Sequence, residues 1–323
     1  MLISRTPLRV SFLGGGTDFP WFFEDYSGAV ISAAINQHIY ISAIDSFDGT
    51  TTYLKYSKLE TVKQISDIQH PMFRAVLGDA NIPPQDISVM AEIPSGNGLA
   101  SSSAFAVGLI NITATREGSK LAPQVLAKLA SKLEIDILSQ SIGVQDPLGS
   151  CYPGMNLHTF KPGRDVGSVN LVGEESEFPF DLVLIKVGSP TRLASNFTDL
   201  QRKYVAGNNS ALSSLLELRD LTFQAGDAVA KNIESLPEFV REGWRLKMAS
   251  NPNAISEEIL EIGKSAENWG ALAWKLVGAG GGGFILALCE KGGATKLAGE
   301  LSMTGLRVIC LELDYEGAKI MEV

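Results

Sequence analysis

Pro94-Ser-Gly-Asn-Gly-Leu-Ala-Ser-Ser-Ser-Ala104 lies between a strand-like run ending near Ala91 and a helical pattern opening at Ser101, and the fold turns on how it is read. Glycines at 96 and 98 let the chain turn tightly with N–H groups pointing inward. The N-terminus of the following helix adds partial positive charge, so the segment suits an anion. A serine hydroxyl at that helix start can also ligate Mg²⁺. Taken alone, the same residues serve equally well as a glycine turn with a serine N-cap. The surrounding chain has to decide.

Upstream, β-runs are expected at 8–13, 29–34, 38–44, 51–56 and 87–91, joined by turns. Helices are expected at 101–115 and 123–139, the second opened by a proline and striped by Leu126, Leu129, Leu133 and Ile137. The polar stretch 162–179 reads as the crossing between two domains, 1–165 and 175–323. Beyond it the pattern gives a strand at 182–187, helices at 211–233, 237–248 and 256–274, a strand at 284–289, a helix from Ala294 and a strand at 306–313.

The 323 residues are 45% hydrophobic and 20% charged, enough for two cores. Net charge is −9 and the basic residues are scattered, which argues against a nucleic-acid partner. Cys151, Cys289 and Cys310 form no CxxC pair and read as buried, reduced thiols; His38, His70 and His158 are isolated and read as structural. No run approaches bilayer length and no signal-peptide pattern opens the chain, so the expectation is a cytoplasmic protein with no membrane partner.

Two better-known phosphate motifs fail. Gly278-Ala-Gly-Gly-Gly-Gly283 satisfies GxGxxG, but a helix-like segment precedes it and a strand follows, the reverse of the dinucleotide-binding context. Gly263-Lys-Ser265 resembles the end of a Walker A loop, yet position 258 is glutamate and the stretch lies within a helical pattern.

Three ordered motifs settle the loop: Arg5-Thr-Pro-Leu-Arg-Val-Ser-Phe-Leu-Gly-Gly-Gly-Thr-Asp18, Pro94 to Ala104, and Lys275-Leu-Val-Gly-Ala-Gly-Gly-Gly-Gly-Phe284. Together they resemble the GHMP superfamily of galactokinase, homoserine kinase, mevalonate kinase and phosphomevalonate kinase. The Gly-Gly-Gly-Thr-Asp ending and the run from Lys55-Tyr-Ser-Lys58 to His70-Pro71 are similar to D-glycero-D-manno-heptose 7-phosphate kinases. The resemblance implies a two-domain α+β fold, with a left-handed βαβ unit in the N-terminal ATP-binding domain, a ferredoxin-like C-terminal domain, and the active site between them. It also implies ATP and Mg²⁺ as cofactors and a small-molecule sugar or sugar phosphate as partner, in a monomer or homodimer.

By the same resemblance, Pro94, Gly96, Asn97, Gly98, Leu99, Ala100, Ser101, Ser102 and Ser103 wrap the nucleotide phosphates, and Tyr56, Ser57 and Pro71 lie where relatives contact adenine. Glu134 lies one helix turn from Ala130 and from Leu138, on a largely apolar row; a buried carboxylate needs a partner, and Mg²⁺ is one. Glu134 and Ser102 match the metal ligands of relatives, the plainer alternative for Glu134 being a salt bridge at the helix rim. Asp146, in Ile142-Gly-Val-Gln-Asp-Pro-Leu-Gly149, resembles the catalytic aspartate that accepts or orients the acceptor proton; a helix-ending Asx turn is its alternative. Arg9 matches an arginine that stabilises transferred charge, with a surface strand position as its alternative. Asp18 matches a sugar-binding aspartate suited to vicinal hydroxyls, in a motif where Gly15, Gly16 and Thr17 admit the sugar close to backbone. Gly281 and Gly282 would pack near the phosphate loop and present N–H groups to the acceptor. Arg5 and Arg192 are candidates for a substrate phosphate, though a solvated surface role suits each better.

These residues imply an ATP-dependent carbohydrate kinase acting on the anomeric hydroxyl of D-glycero-D-manno-heptose 7-phosphate to give the 1,7-bisphosphate. Another anomeric kinase of galactose or fucose type, and a non-catalytic sensor of the same fold, are the alternatives. Val144 and Pro147 stand where the heptose kinases have Lys and Gln, which bears on the exact sugar; Ala100 stands where many relatives have Gly.

Overall fold

In the computed structural model the first domain lays down β1 (Leu2–Leu13), α1 (Pro20–Tyr26), β2 (Gly28–Asp45), β3 (Thr52–Lys55), β4 (Leu59–Val62), α2 (Pro71–Asp79), β5 (Gln85–Ala91), α3 (Ser101–Arg116), α4 (Pro123–Ser131), α5 (Gln145–Cys151), β6 (Met155–Lys161) and β7 (Asp165–Val172). The second holds β8 (Phe180–Val187), α6 (Ala194–Ala206), α7 (Asn209–Lys231), α8 (Leu236–Ser250), α9 (Glu257–Asn268), β9 (Ala271–Leu276), β10 (Gly283–Glu290), α10 (Ala294–Met303) and β11 (Val308–Leu311), before β12 (Lys319–Glu322). All residues are described except 175, 189–193, 251, 253–254 and 279, together with the side chains of 194–197.

The larger sheet runs β12-β1-β2-β5-β3-β4, with β6 on the far part of β2 and β7 beside it. Among the described residues only β3 and β5 pair in parallel, joined through β4 and α2. Strand β1 is buried on both faces from Thr6 onward: Leu8, Val10 and Phe12 enter the core, while Arg9 and Ser11 between them line the cleft between the domains. The smaller sheet, β11-β8-β10-β9, is antiparallel throughout and follows a β-α-β-β-α-β path, the expected ferredoxin-like arrangement. One apolar core passes through both domains, joining Leu8 and Phe12 of β1 to Leu182, Leu184 and Leu286 of the smaller sheet and Leu215 of α7. The two domains therefore meet across packed side chains, and what lies between them is held in register.

Several expectations change. The segment 162–179 is not simply a crossing, because β7 within it pairs with β6 as a largely exposed edge; the passage between the domains narrows to 173–179. The helix expected to reach Trp274 ends at Asn268, and Ala271–Leu276 is a strand, so the glycine run Gly280 to Gly283 follows a strand as well as preceding one, in a β9–β10 connection. A dinucleotide site is still excluded, since no helix follows. After α4 the chain continues as a π-helical turn, Lys132–Ile137, whose extra residue rotates the buried face: Leu126, Ala130, Leu133 and Glu134 face inward while Leu129 and Ile137 are exposed. Cys310 is exposed; Cys151 and Cys289 are buried as expected. The final strand β12 returns to pair with Leu2 to Arg5, so the stretch 175–323 does not belong wholly to the second domain.

Candidate active site

The loop between β5 and α3 has positive φ at Gly96, Gly98 and Ala100, an alternation that turns successive N–H groups into one concave surface against the N-terminus of α3. Gly98 also has no room for a side chain: a Cβ there would lie 2.6 Å from the Val277 carbonyl oxygen. Gly278 presses on Gly98 beside Val277, so the third motif packs backbone to backbone against the β5–α3 loop. Asn97 is buried and shapes the loop, donating to the Pro94 carbonyl at 2.8 Å and accepting from Lys186 Nζ at 2.5 Å. Leu99 belongs to the core, and its carbonyl accepts from the Arg9 backbone N–H at 3.2 Å. Ala100 adopts φ 61°, ψ 32°, left-handed backbone that a Cβ disfavours.

Arg9 is buried at the mouth of this loop. Its Nε and Nη2 donate to Asp146 Oδ1 at 3.0 and 2.5 Å, and Nη1 donates to the Gly98 carbonyl at 2.8 Å. A single guanidinium thus ties the acidic residue to the phosphate loop. Asp146 lies in the first turn of α5, a helix entrance where a helix exit had been expected. Pro147 is tolerated there because first-turn N–H groups have no helical partner.

Glu134 is wholly buried. Ser102 donates to its Oε1 at 2.7 Å and Ser103 to its Oε2 at 2.6 Å. Burial pushes the carboxyl up to about 7 against those two hydroxyls, with Asp146 adding to the rise. Neither hydroxyl supplies a positive charge. A divalent cation would, and the exposed hydroxyl of Ser102 beside Glu134 makes a two-ligand seat whose remaining positions suit water and phosphate oxygens. Among the described residues no group of three or more His, Cys, Asp or Glu side chains forms a complete cage. Ser101 Oγ is buried without a hydrogen-bond partner.

From this point a cleft of about 460 Å³ extends between the domains. Gly15, Gly16 and Asp18 line it. Asp18 is wholly buried; Oδ1 accepts from the Gly16 N–H at 2.8 Å and Oδ2 has no partner. Burial, then Asp146, push its carboxyl above the usual carboxylate range. Ser11 Oγ and Gln145 Oε1, also lining the cleft, are likewise buried and unpartnered. Thr17 does not line it: its hydroxyl is committed to the carbonyls of Gly14 and Ala29, so it braces the motif. Gly281 and Gly282 approach Gly188, while Lys275, Leu276 and Gly278 of that motif line the cleft.

Arg5 is spent on Asp314 and Glu316 at 2.6 and 2.8 Å, and Arg192 lies outside the described residues. Tyr56 packs edge-on against His70 at 5.0 Å, and His70 meets Phe105 of α3 at 5.4 Å, so that aromatic group sits beside the helix carrying the phosphate loop. The other histidines are structural: His38 bridges Glu92 and Asp314, and His158 is pushed down to about 3 by burial.

Two lysines carry chemistry that motif reading missed. Lys275 of β9 is buried and donates to the Ser11 carbonyl at 2.6 Å; burial, then Lys247 and Arg9, lower it to about 7. Lys247 of α8, half-buried, donates to the Gly15 carbonyl at 2.8 Å and to Gln201 Oε1 at 3.2 Å; burial lowers it to about 8. A signal was available. Lys247 falls on the helical row of Val240 and Gly243, which the fold buries, and a lysine on an apolar row calls for a reason.

Residues 62–154 match the family model described as GHMP kinases N terminal domain, and residues 224–304 the one described as GHMP kinases C terminal. The D-glycero-alpha-D-manno-heptose 7-phosphate kinase of Campylobacter jejuni is 27% identical over 297 residues, 87% of either chain. The bifunctional fucokinase/GDP-fucose pyrophosphorylase of Arabidopsis thaliana is 23% identical across 88% of this chain and 29% of its own. Among solved structures, a D-glycero-D-manno-heptose 1-phosphate kinase from Bacteroides thetaiotaomicron superposes with a TM-score of 0.80 at 19% identity, over 100% of this chain and 99% of that one. At that identity the likeness is one of fold.

Proposed function

Because the chain belongs to the GHMP kinases, we propose that it is an ATP-dependent sugar kinase acting on the anomeric hydroxyl of D-glycero-D-manno-heptose 7-phosphate. The observation that carries this reading is the position of the Arg9–Asp146 pair. On one side it touches the phosphate loop through Gly98; on the other it opens onto a cleft where Ser11, Asp18 and Gln145 hold buried polar atoms without partners. Unpaired buried polar atoms in a cleft suit a polyhydroxylated ligand, since each hydroxyl can both donate and accept. The Campylobacter jejuni relative supports the choice of heptose.

In this reading the loop N–H groups and the start of α3 bind the ATP phosphates, and Glu134 with Ser102 would hold Mg²⁺, which when bound supplies positive charge to them. Arg9 stabilises charge on the transferred group and fixes Asp146 through Oδ1. Neither of its bonds goes to Oδ2, which is then free to take the proton of the acceptor hydroxyl or to orient it. The side chains of the first motif hold the sugar so that this hydroxyl lies in line with the terminal phosphate.

A second reading, an anomeric kinase of an unphosphorylated sugar, is favoured by the state of the cations. Among the described residues lining the cleft, Arg9, Lys247 and Lys275 are each already held by a carbonyl or carboxylate of the chain. ADP release measured over sugars and sugar phosphates tests both. Turnover with heptose 7-phosphate far above that with unphosphorylated sugars is expected, the reverse preference selects the second reading, and no ADP release with any sugar refutes both.

A further inference from the structure

We propose that Asp18 of the first domain and Lys247 of the second form a divided recognition pair, separated so that one hydroxyl of the acceptor sits between them, accepting from the lysine and donating to the aspartate. The proposal rests on the sugar-kinase reading and names what determines specificity within that site.

The two charged heads flank Gly16. Its N–H donates to Asp18 Oδ1 at 2.8 Å, and the position a Cβ would take on the same residue lies 2.8 Å from Lys247 Nζ. Opposite charges so placed would be expected to close into an ion pair, yet they do not. Lys247 turns to Gly15 and Gln201, and Asp18 Oδ2 is left buried with no hydrogen-bond partner. Each still senses the other: Asp18 works against the burial that lowers Lys247, and Lys247 works against the burial and the Asp146 charge that raise Asp18. Lys247 is fixed where it stands. Gln201, only 2% exposed, holds its Nζ, and Ser250 links the two by donating to the Lys247 carbonyl at 2.9 Å.

The chemistry of the gap selects its occupant. An ammonium only donates and a carboxylate only accepts, so the bridging group must do both, which a hydroxyl does and an ether oxygen or a fully ionised phosphate does not. A phosphate here would also face Asp18. The pair therefore reads a neutral hydroxyl, and because Lys247 belongs to the second domain, neither domain recognises the acceptor alone.

The test is a cycle between protein and ligand, run by steady-state kinetics on the full chain. Wild type and Lys247→Met are assayed with D-glycero-D-manno-heptose 7-phosphate and with its monodeoxy analogues. In the wild type, one analogue should lose about tenfold or more in kcat/KM, the cost of leaving both partners unsatisfied. Lys247→Met should lose a similar factor with the parent sugar and nothing further with that analogue, while KM for ATP stays constant. Independent, multiplying losses overturn the proposal and leave the sugar-kinase reading intact. A wild type that phosphorylates no sugar refutes the reading itself. Should Lys247→Met fail to fold, Asp18→Asn must couple to the same analogue, and its failure to do so is equally decisive.

Discussion

Glu134 should make the protein's stability depend on pH and, where it holds Mg²⁺ as proposed, on that cation as well. Its carboxyl rises from 4.5 to about 7 on burial, so the folded chain holds this proton more tightly than the unfolded chain does. The resulting contribution is fully present below pH 4.5 and is lost as pH rises through 7. A rise of about 2.5 pH units at about 1.4 kcal/mol each amounts to about 3 kcal/mol. Half-buried Lys247 and buried Lys275 act in the opposite sense at higher pH, since their lowered values favour the fold as pH rises toward the usual lysine range. The comparison that isolates Glu134 is therefore wild type against Glu134→Gln, by urea unfolding without metal across that pH range. The variant should keep the acidic-side stability and lack the decline. Adding Mg²⁺ at alkaline pH should restore the wild type, because a cation competes with the proton for the same oxygens, and should leave the variant unchanged. Superimposable pH profiles, or equal stabilisation of both proteins by Mg²⁺, would refute the reasoning.

Asp146→Asn should lower kcat by about 10²–10⁴ while calorimetry shows ATP binding retained, and near-wild-type turnover would remove Asp146 from the chemistry. Gly98→Ala places a Cβ 2.6 Å from the Val277 carbonyl oxygen at φ +79°; it should destabilise the protein by about 2 kcal/mol or more and raise KM for ATP, as thermal unfolding and kinetics would show. Ala100→Gly relieves left-handed backbone worth about 1–2 kcal/mol and gives back about 0.5–1 kcal/mol to the freer unfolded chain, so a net gain of about 1 kcal/mol is expected in urea unfolding.

Family and fold were more legible in the sequence than the bounds of its elements. Arg9, Asp18, Ser102 and Asp146 could be picked out because each sits in a short motif, and Glu134 because a carboxylate interrupts an apolar helical row; the structure brings Arg9 to Asp146 and Ser102 to Glu134 within hydrogen-bonding distance. Strand β9 was hidden because α9 runs almost into it, and because the ring of Trp274 lies on the helix at Gly263, so its burial mimics a continuing helical stripe. Helix α5 is only seven residues long and contains Pro147 and Gly149, poor helix formers that tertiary contact overrides; the stem of Arg9 occupies the space a Cβ on Gly149 would need. Lys247 and Gln201 come from helices with no motif. Their meaning depends on which first-domain loop they meet, and no local pattern encodes that.

Strand β12 has a bearing on how the molecule is made. The edge of the larger sheet beside β1 is supplied by Lys319 to Glu322, which leave the ribosome only after the whole second domain. Until then the open edge of β1, from Leu2 to Arg5, offers unpaired backbone groups to any neighbouring strand. Arg5 meets Asp314 and Glu316, and His38 meets Asp314, contacts that likewise wait for the late segment. The domain translated first is thus among the last structures to be completed, and nascent chains should depend on the cell's holding factors for as long as the second domain takes to emerge.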